Sequence, residues 1–203
     1  MKILCVGRNY ADHAREMERE IPEEPIIFMK PKSALLLDEQ PFYYPDFTED
    51  LHYECELVLK FCKNGKNIPE ETAHKYYNQI TTGLDFTARD LQSQLKAGGL
   101  PWELAKAFDH SAVIGSFLDI SSIPDKKDIN FCLYKNRQPV QQGNSRDMLF
   151  SFDRLICFIS RFFSLNIGDL LFTGTPAGVG PVHTGDKLEA FIENDSLLEL
   201  EIR

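Results

Sequence analysis

Two glutamates one residue apart, Glu54 and Glu56, open the stretch HYECELVLKF at 52–61. On a strand, residues i and i+2 face the same side, so these carboxylates converge. Like charges held this close repel unless a cation or a proton sits between them. The pair is therefore either a solvated strand face or one wall of a cation site. The flanking residues add weight to the second: Cys55, Leu57, Leu59 and Phe61 alternate with Glu54, Glu56, Val58 and Lys60, and most of these are apolar, as in a buried interior. Asp85 offers a third carboxylate, in GLDFTARD at 83–90, where an apolar run hands over to a helix. Its plain role is a helix cap, and its chemical role is a third oxygen ligand. Three carboxylates without histidine or cysteine make a hard site suited to Mg²⁺ or Mn²⁺.

Other candidates surround these. His13 and Glu16 stand three apart on an expected helix at 10–20, so they share a face. They are either a surface pair on a charged helix or a water-activating base, the glutamate orienting the imidazole. TGTPAGVGP at 173–181 packs three glycines and two prolines into an unusual loop after a strand. It matches no nucleotide-binding glycine motif. Its amides and the Thr175 hydroxyl either hold a substrate carboxylate or belong to a plain loop. Arg8, Lys30, Arg89 and Lys106 are cations near these motifs.

The elements that must position these groups are mostly strands. KILCV (2–6), IIFMK (26–30), HYECELVLKF (52–61), DLLFTG (169–174), KLEAFIE (187–193) and SLLELEI (196–202) read as strands. Gly168-Asp169 and Gly185-Asp186 read as the turns that enter two of them. FCLYKNRQPVQQG reads as a hairpin with Asn136 and Arg137 at its tip. Helices are expected at 10–20, capped by Asn9, at 69–78, at 87–97 with Thr87 as cap and Gly98-Gly99 as stop, and at 151–163. The last should bury Leu155, Ile156, Ile159, Phe162 and Phe163 on one face. Strands and helices do not alternate regularly, so the class is α+β and β-rich rather than a doubly wound nucleotide-binding sheet. No repeat or linker interrupts the 203 residues, which read as one domain, 1–203.

Composition sets outer limits. Against 31 acids stand 22 lysines and arginines, a net charge of −9, so there is no basic surplus to replace counterions on nucleic acid. No apolar run approaches the ~20 residues of a membrane span. The start, MKILCVGRNYADH, is too short for a signal-peptide core, so a cytoplasmic protein is expected. The five cysteines (Cys5, Cys55, Cys62, Cys132, Cys157) form no CxxC pair and read as reduced thiols.

Six blocks then appear in one order: CVGRNYADHAREM, FMKP, HYECELVL, GLDFTARDLQ, LPWELAKAFD and GDLLFTGTPAGVGPV. Together they resemble the fumarylacetoacetate hydrolase superfamily along nearly the whole chain, with its short acylpyruvases and oxaloacetate decarboxylases nearest in pattern. The resemblance implies a mixed β-sheet roll, a homodimer and one divalent cation, Mg²⁺ or Mn²⁺, per subunit. It implies Glu54, Glu56 and Asp85 as metal ligands, His13 and Glu16 as a water-activating dyad, and Lys106 as oxyanion stabiliser. Arg8, Lys30, Arg89, Gln92 and Thr175 match positions around a small anionic 2-oxo acid substrate. Cys55 stands where that pattern has an aliphatic residue, and should point away from the metal. The activity implied is hydrolysis of the C–C bond of acylpyruvates, 2,4-dioxo acids such as acetylpyruvate or fumarylpyruvate, with oxaloacetate decarboxylation beside it. The alternative is an isomerase or hydratase of 2-hydroxy- or 2-oxo-dienoic acids.

Overall fold

The computed structural model describes residues 1–12, 21–36 and 40–203. Strands dominate. In chain order they are β1 (Ile3–Gly7), β2 (Ile26–Lys30), β3 (Leu35–Leu36), β4 (Leu51–Tyr53), β5 (Cys55–Phe61), β6 (Tyr77–Asp85), β7 (Thr87–Ala88) and β8 (Ala112–Ile114). There follow β9 (Leu118–Asp119), β10 (Asn130–Lys135), β11 (Gln138–Asn144), β12 (Leu170–Phe172), β13 (Gly180–Pro181), β14 (Lys187–Ile192) and β15 (Asp195–Glu201). Among the described residues they are joined by α-helices α1 (Arg89–Ala97), α2 (Glu103–Lys106) and α3 (Phe152–Phe162).

Among the described residues the strands form three sheets. The largest runs β2-β1-β12-β5-β6-β8-β3, with β9 also against β6. It is mixed: β1 lies parallel to β12 and β3 to β8, and the other pairings are antiparallel. A second sheet runs β11-β10-β14-β15, and a small third one β13-β4-β7. β5 is buried on both faces. Cys55, Leu57, Leu59 and Phe61 enter the main core, while Val58 joins a second cluster with Ile3, Cys5 and Phe172. This two-sided burial explains why the strand is apolar on both sides of its alternation.

The chain changes sheets twice at neighbouring points. β4 and β7 pair in the small sheet, His52 opposite Thr87, while β5 and β6 pair in the large one, Cys55 opposite Leu84. Glu54 is the single residue between β4 and β5, and Phe86 the single residue between β6 and β7. The Asp85 amide donates to the Glu54 carbonyl at 2.9 Å, so the two chains bend side by side.

The expected hairpin is present, with Asn136 and Arg137 at φ 53° and 66°, the left-handed pair that a two-residue turn between twisted strands requires. Gly168 and Gly185 also take positive φ, 84° and 95°, at their turns. The Ser151 hydroxyl caps α3 by accepting from the Arg154 amide. Leu155, Ile156 and Ile159 of α3 are fully buried, a burial that stabilises by roughly 1.5–3 kcal/mol for each side chain.

Several expectations are corrected. Phe162 is exposed, because its position falls off the buried stripe of α3. The helix expected at 69–78 is only a 3-10 turn, Glu70–Lys75, since Tyr77 is drawn into the core as the first residue of β6. Helix α1 starts at Arg89, and its first turn has no side-chain cap. Thr87 instead belongs to β7, and Asp85 ends β6. Asn9 bonds Phe150 and Thr173. Of the helix expected at 10–20, Ala11 and Asp12 are helical, and the rest lies outside the described residues.

Candidate active site

The sheet crossing brings Glu54, Glu56 and Asp85 together. One carboxylate oxygen from each lies within 4.8 Å of the others, and all three residues are buried. Glu54 thus sits at the joint rather than within a strand, yet it still converges with Glu56. Cys55 turns its thiol into the core, away from this cluster.

Two lysines answer the three negative charges. Lys106, on the one-turn helix α2, places Nζ 2.9 Å from Glu54 Oε2 and 2.7 Å from Asp85 Oδ2. Burial alone would lower its pKa, but the Asp85 and Glu54 carboxylates outweigh that and hold the ammonium above the usual lysine range. Lys30, at the end of β2, lies 2.7 Å from Asp85 Oδ1 with its side chain fully buried. Its N–H bonds go elsewhere, to the carbonyls of Phe86, Lys106 and Ser111 and the Ser111 hydroxyl. Lys30, like Asp85 and Glu56, is not among the residues that line the adjoining cavity. Asp85 Oδ1 touches this charge but has no hydrogen bond, although it is buried.

Glu54 is held from three sides. Arg89 Nη2 donates to Oε1 at 2.7 Å, the Thr87 hydroxyl to Oε1 at 3.1 Å, and Lys106 to Oε2. Arg89 Nη1 also donates to Gln92 Oε1 at 2.8 Å, one turn along α1. Glu56 has a different partner: the Gly174 amide donates to its Oε2 at 2.6 Å. Burial first, then the Asp85 and Glu54 charges, push the Glu56 carboxyl well above the usual carboxylate range. An amide of the glycine loop thus serves a protein carboxylate. Gly174 takes φ +101°, and a Cβ there would lie 2.7 Å from Asn9 Cβ, so the close approach requires glycine.

A narrow cavity of about 50 Å³ opens beside Glu54 and Lys106. Arg8, Glu54, Arg89, Gln92, Lys106 and Thr175 all line it. Arg8 is at φ 59°, a strained conformation for a side-chain-bearing residue. The Thr175 hydroxyl donates to the Cys55 carbonyl at 2.8 Å. His13 and Glu16 lie outside the described residues.

Three contributors were missed from sequence. Gln141, buried on β11, accepts from the Cys55 amide at 2.9 Å and donates to Thr175 Oγ1 at 2.8 Å and to the Pro176 carbonyl. It locks the backbone between the glutamates to the glycine loop. Nothing in QPVQQG separates it from a surface glutamine. Lys96 and Trp102 also line the cavity. The 89, 92, 96 spacing on one helix face, followed by the sequence's one tryptophan, was the available signal.

The donor set fits a divalent cation: three buried oxygen donors, one of them without a hydrogen bond, and no nitrogen or sulfur donor among them. The comparisons agree with this geometry. Residues 2–203 match the family model described as fumarylacetoacetate (FAA) hydrolase C-terminal, and the chain belongs to that family. It is 41% identical over 190 residues to a human protein named oxaloacetate tautomerase FAHD1, mitochondrial, covering 94% of this chain and 86% of that one. A structure of fumarylpyruvate hydrolase from Pseudomonas aeruginosa, in complex with Mn²⁺ and pyruvate, superposes with TM-score 0.94 at 37% identity, covering 100% of this chain and 89% of that one. A 2-hydroxyhepta-2,4-diene-1,7-dioate isomerase from Mycobacterium marinum superposes with TM-score 0.86 at 30% identity, covering 99% and 73%. The family therefore contains enzymes named as hydrolase, tautomerase and isomerase. No helix of the described residues is long and apolar enough to cross a membrane.

Proposed function

We propose that this protein hydrolyses the C–C bond of acylpyruvates, 2,4-dioxo acids such as acetylpyruvate, with Mg²⁺ or Mn²⁺ as cofactor, and also acts on oxaloacetate. The observation that carries the reading is the Lys106 ammonium seated between Glu54 and Asp85 of a buried acidic triad, with Lys106 and Glu54 lining a cavity. A divalent cation held by Glu54, Glu56 and Asp85 would supply a Lewis acid for the substrate's carboxylate and 2-oxo oxygens.

The chain's own residues do the rest. His13, oriented by Glu16, takes a proton from water, and the hydroxide adds to the 4-carbonyl carbon. Lys106 stabilises the oxyanion that forms. Its collapse breaks the C3–C4 bond and releases a carboxylic acid and the enolate of pyruvate, which then takes a proton. Arg89 and Gln92 hold Glu54 in place during these steps. Loss of CO₂ from oxaloacetate gives the same enolate without water.

The test is direct. Acetylpyruvate with Mn²⁺ is expected to yield equimolar pyruvate and acetate, and EDTA to abolish the reaction. Absence of pyruvate overturns the hydrolase reading. A second reading, keto–enol isomerisation of a 2-oxo acid, is supported by the names of the human relative and the Mycobacterium structure. It needs proton transfer at C3 but no activated water. It predicts that wild type and His13→Ala both turn over the enol of oxaloacetate, and that neither cleaves acetylpyruvate.

A further inference from the structure

Lys106 does its work only if its ammonium stands in one place, and α2 alone cannot hold it there. That helix is four residues long, Glu103–Lys106, and begins without a side-chain cap. So short a helix forms too few bonds to offset the entropy of ordering its residues. Its end is held from outside. The Lys106 carbonyl accepts from the Lys30 ammonium and, at 2.9 Å, from the Ser111 hydroxyl. Lys30 Nζ also donates to Ser111 Oγ at 2.9 Å and to the Ser111 carbonyl at 3.1 Å. Three groups thus close a ring: Lys30 at the end of β2, Lys106 at the end of α2 and Ser111 just before β8. All three residues are buried, where a carbonyl without a partner would be costly.

The ring reaches the triad as well. Lys30 Nζ lies 2.7 Å from Asp85 Oδ1, and Lys106 Nζ lies 2.7 Å from Asp85 Oδ2. One carboxylate is thus gripped at both oxygens, which fixes its plane and turns Oδ2 toward Lys106. The Ser111 carbonyl also accepts from the amide of Phe86, the residue after Asp85, at 2.8 Å. Lys30 is not among the residues that line the adjoining cavity, so its effect on the site passes through Lys106 and Asp85. We propose that Lys30 and Ser111 are positioning residues: they clamp the carbonyl end of α2 and so aim the Lys106 ammonium at Glu54 and Asp85. The effect on rate rests on the acylpyruvate reading given above, whereas the clamp itself needs no substrate.

The test begins with Ser111→Ala, which removes the hydroxyl and no charge. With acetylpyruvate and Mn²⁺ it should lower kcat about tenfold while KM stays within about twofold. Lys30→Met should lower kcat further, again without raising KM. In a Lys106→Met background neither change should cost more, because the clamp acts through Lys106. A loss that appears in KM, or one that adds in full to that of Lys106→Met, overturns the proposal. A second measurement needs no activity. In the full chain labelled with ¹⁵N-lysine and loaded with Mg²⁺, the Lys106 ammonium should give a slowly exchanging signal, identified by its loss in Lys106→Met. Its protons should exchange about tenfold faster in Ser111→Ala. Unchanged exchange overturns the clamp, even if Lys30→Met does not fold. If exchange responds as stated while wild type makes no pyruvate from acetylpyruvate, the clamp stands and the hydrolase reading falls.

Discussion

At the scale of single residues, the site is an exercise in charge balance. Three buried carboxylates face Lys106 and Lys30, and a buried ion pair is far more sensitive to loss of one partner than to its own net contribution. Lys106→Met should therefore unfold at a much lower temperature than wild type after EDTA treatment, by about 3–5 kcal/mol of stability. Saturating Mn²⁺ should recover most of that loss, while cleavage of acetylpyruvate stays depressed by about 10²–10³-fold. Equal losses with and without Mn²⁺ would show that Lys106 serves only the fold. Glu56 sets a pH dependence. Its carboxyl, raised above the ordinary value of 4.5 by burial and then by Asp85 and Glu54, binds a proton more tightly folded than unfolded. In the metal-free protein its contribution to stability is fully present below that value and is lost as pH rises. A metal needs the ionised form, so the Mn²⁺-induced rise in melting temperature should be larger at pH 8 than at pH 5. A rise of equal size at both would contradict it. The meeting of Glu54 and Glu56 was legible from their i, i+2 spacing, although Glu54 sits at the joint between β4 and β5 rather than within a strand. Lys30 was read as a substrate contact, and a lysine followed by proline gives no sign that its side chain will be fully buried against Asp85.

At the scale of elements, the glycine loop and β11 hold the triad's backbone. The Gly174 amide carries Glu56, and Gln141 carries the Cys55 amide and Thr175. Gly174 and Gly168 both have positive φ, but only Gly174 has a neighbour, Asn9 Cβ, within 2.7 Å of an added Cβ. Alanine at either position should cost about 1–3 kcal/mol of backbone strain. Gly174→Ala should cost more than Gly168→Ala in chemical denaturation, and it alone should weaken Mn²⁺ binding. If the two variants match in both measurements, the close approach to Asn9 has no consequence. The strands and the hairpin were readable because alternation and Asn-Arg turn chemistry are local. The helix ends were not: Thr87 looked like a cap, but β4 recruits it as strand β7 and its hydroxyl goes to Glu54. Likewise the proline-and-acid start at 69–71 signals a helix, and the core's claim on Tyr77 cuts it to a short 3-10 helix, Glu70–Lys75.

At the scale of the whole molecule, the mixed strand-rich fold followed from irregular alternation of strands and helices, whereas the division into three sheets did not. Register between distant strands such as β1 and β12 is set by packing across the chain, and no local pattern encodes it. The net charge of −9 does not describe the site, whose cavity wall carries Arg8, Arg89, Lys96 and Lys106 alongside Glu54. The paired crossing at Glu54 and Phe86 bears on motion as well as on geometry. Two of the three acidic groups hang on a joint between sheets, so any hinge movement of β13-β4-β7 against β5-β6 changes the spacing of the ligand oxygens. A cation gripping all three would act as a rivet through that joint. Amide deuterium uptake in 51–54 and 86–89 should then slow on adding Mn²⁺, while uptake in the distant β10-β11 hairpin tip stays the same, making the small sheet a mechanical gauge of occupancy.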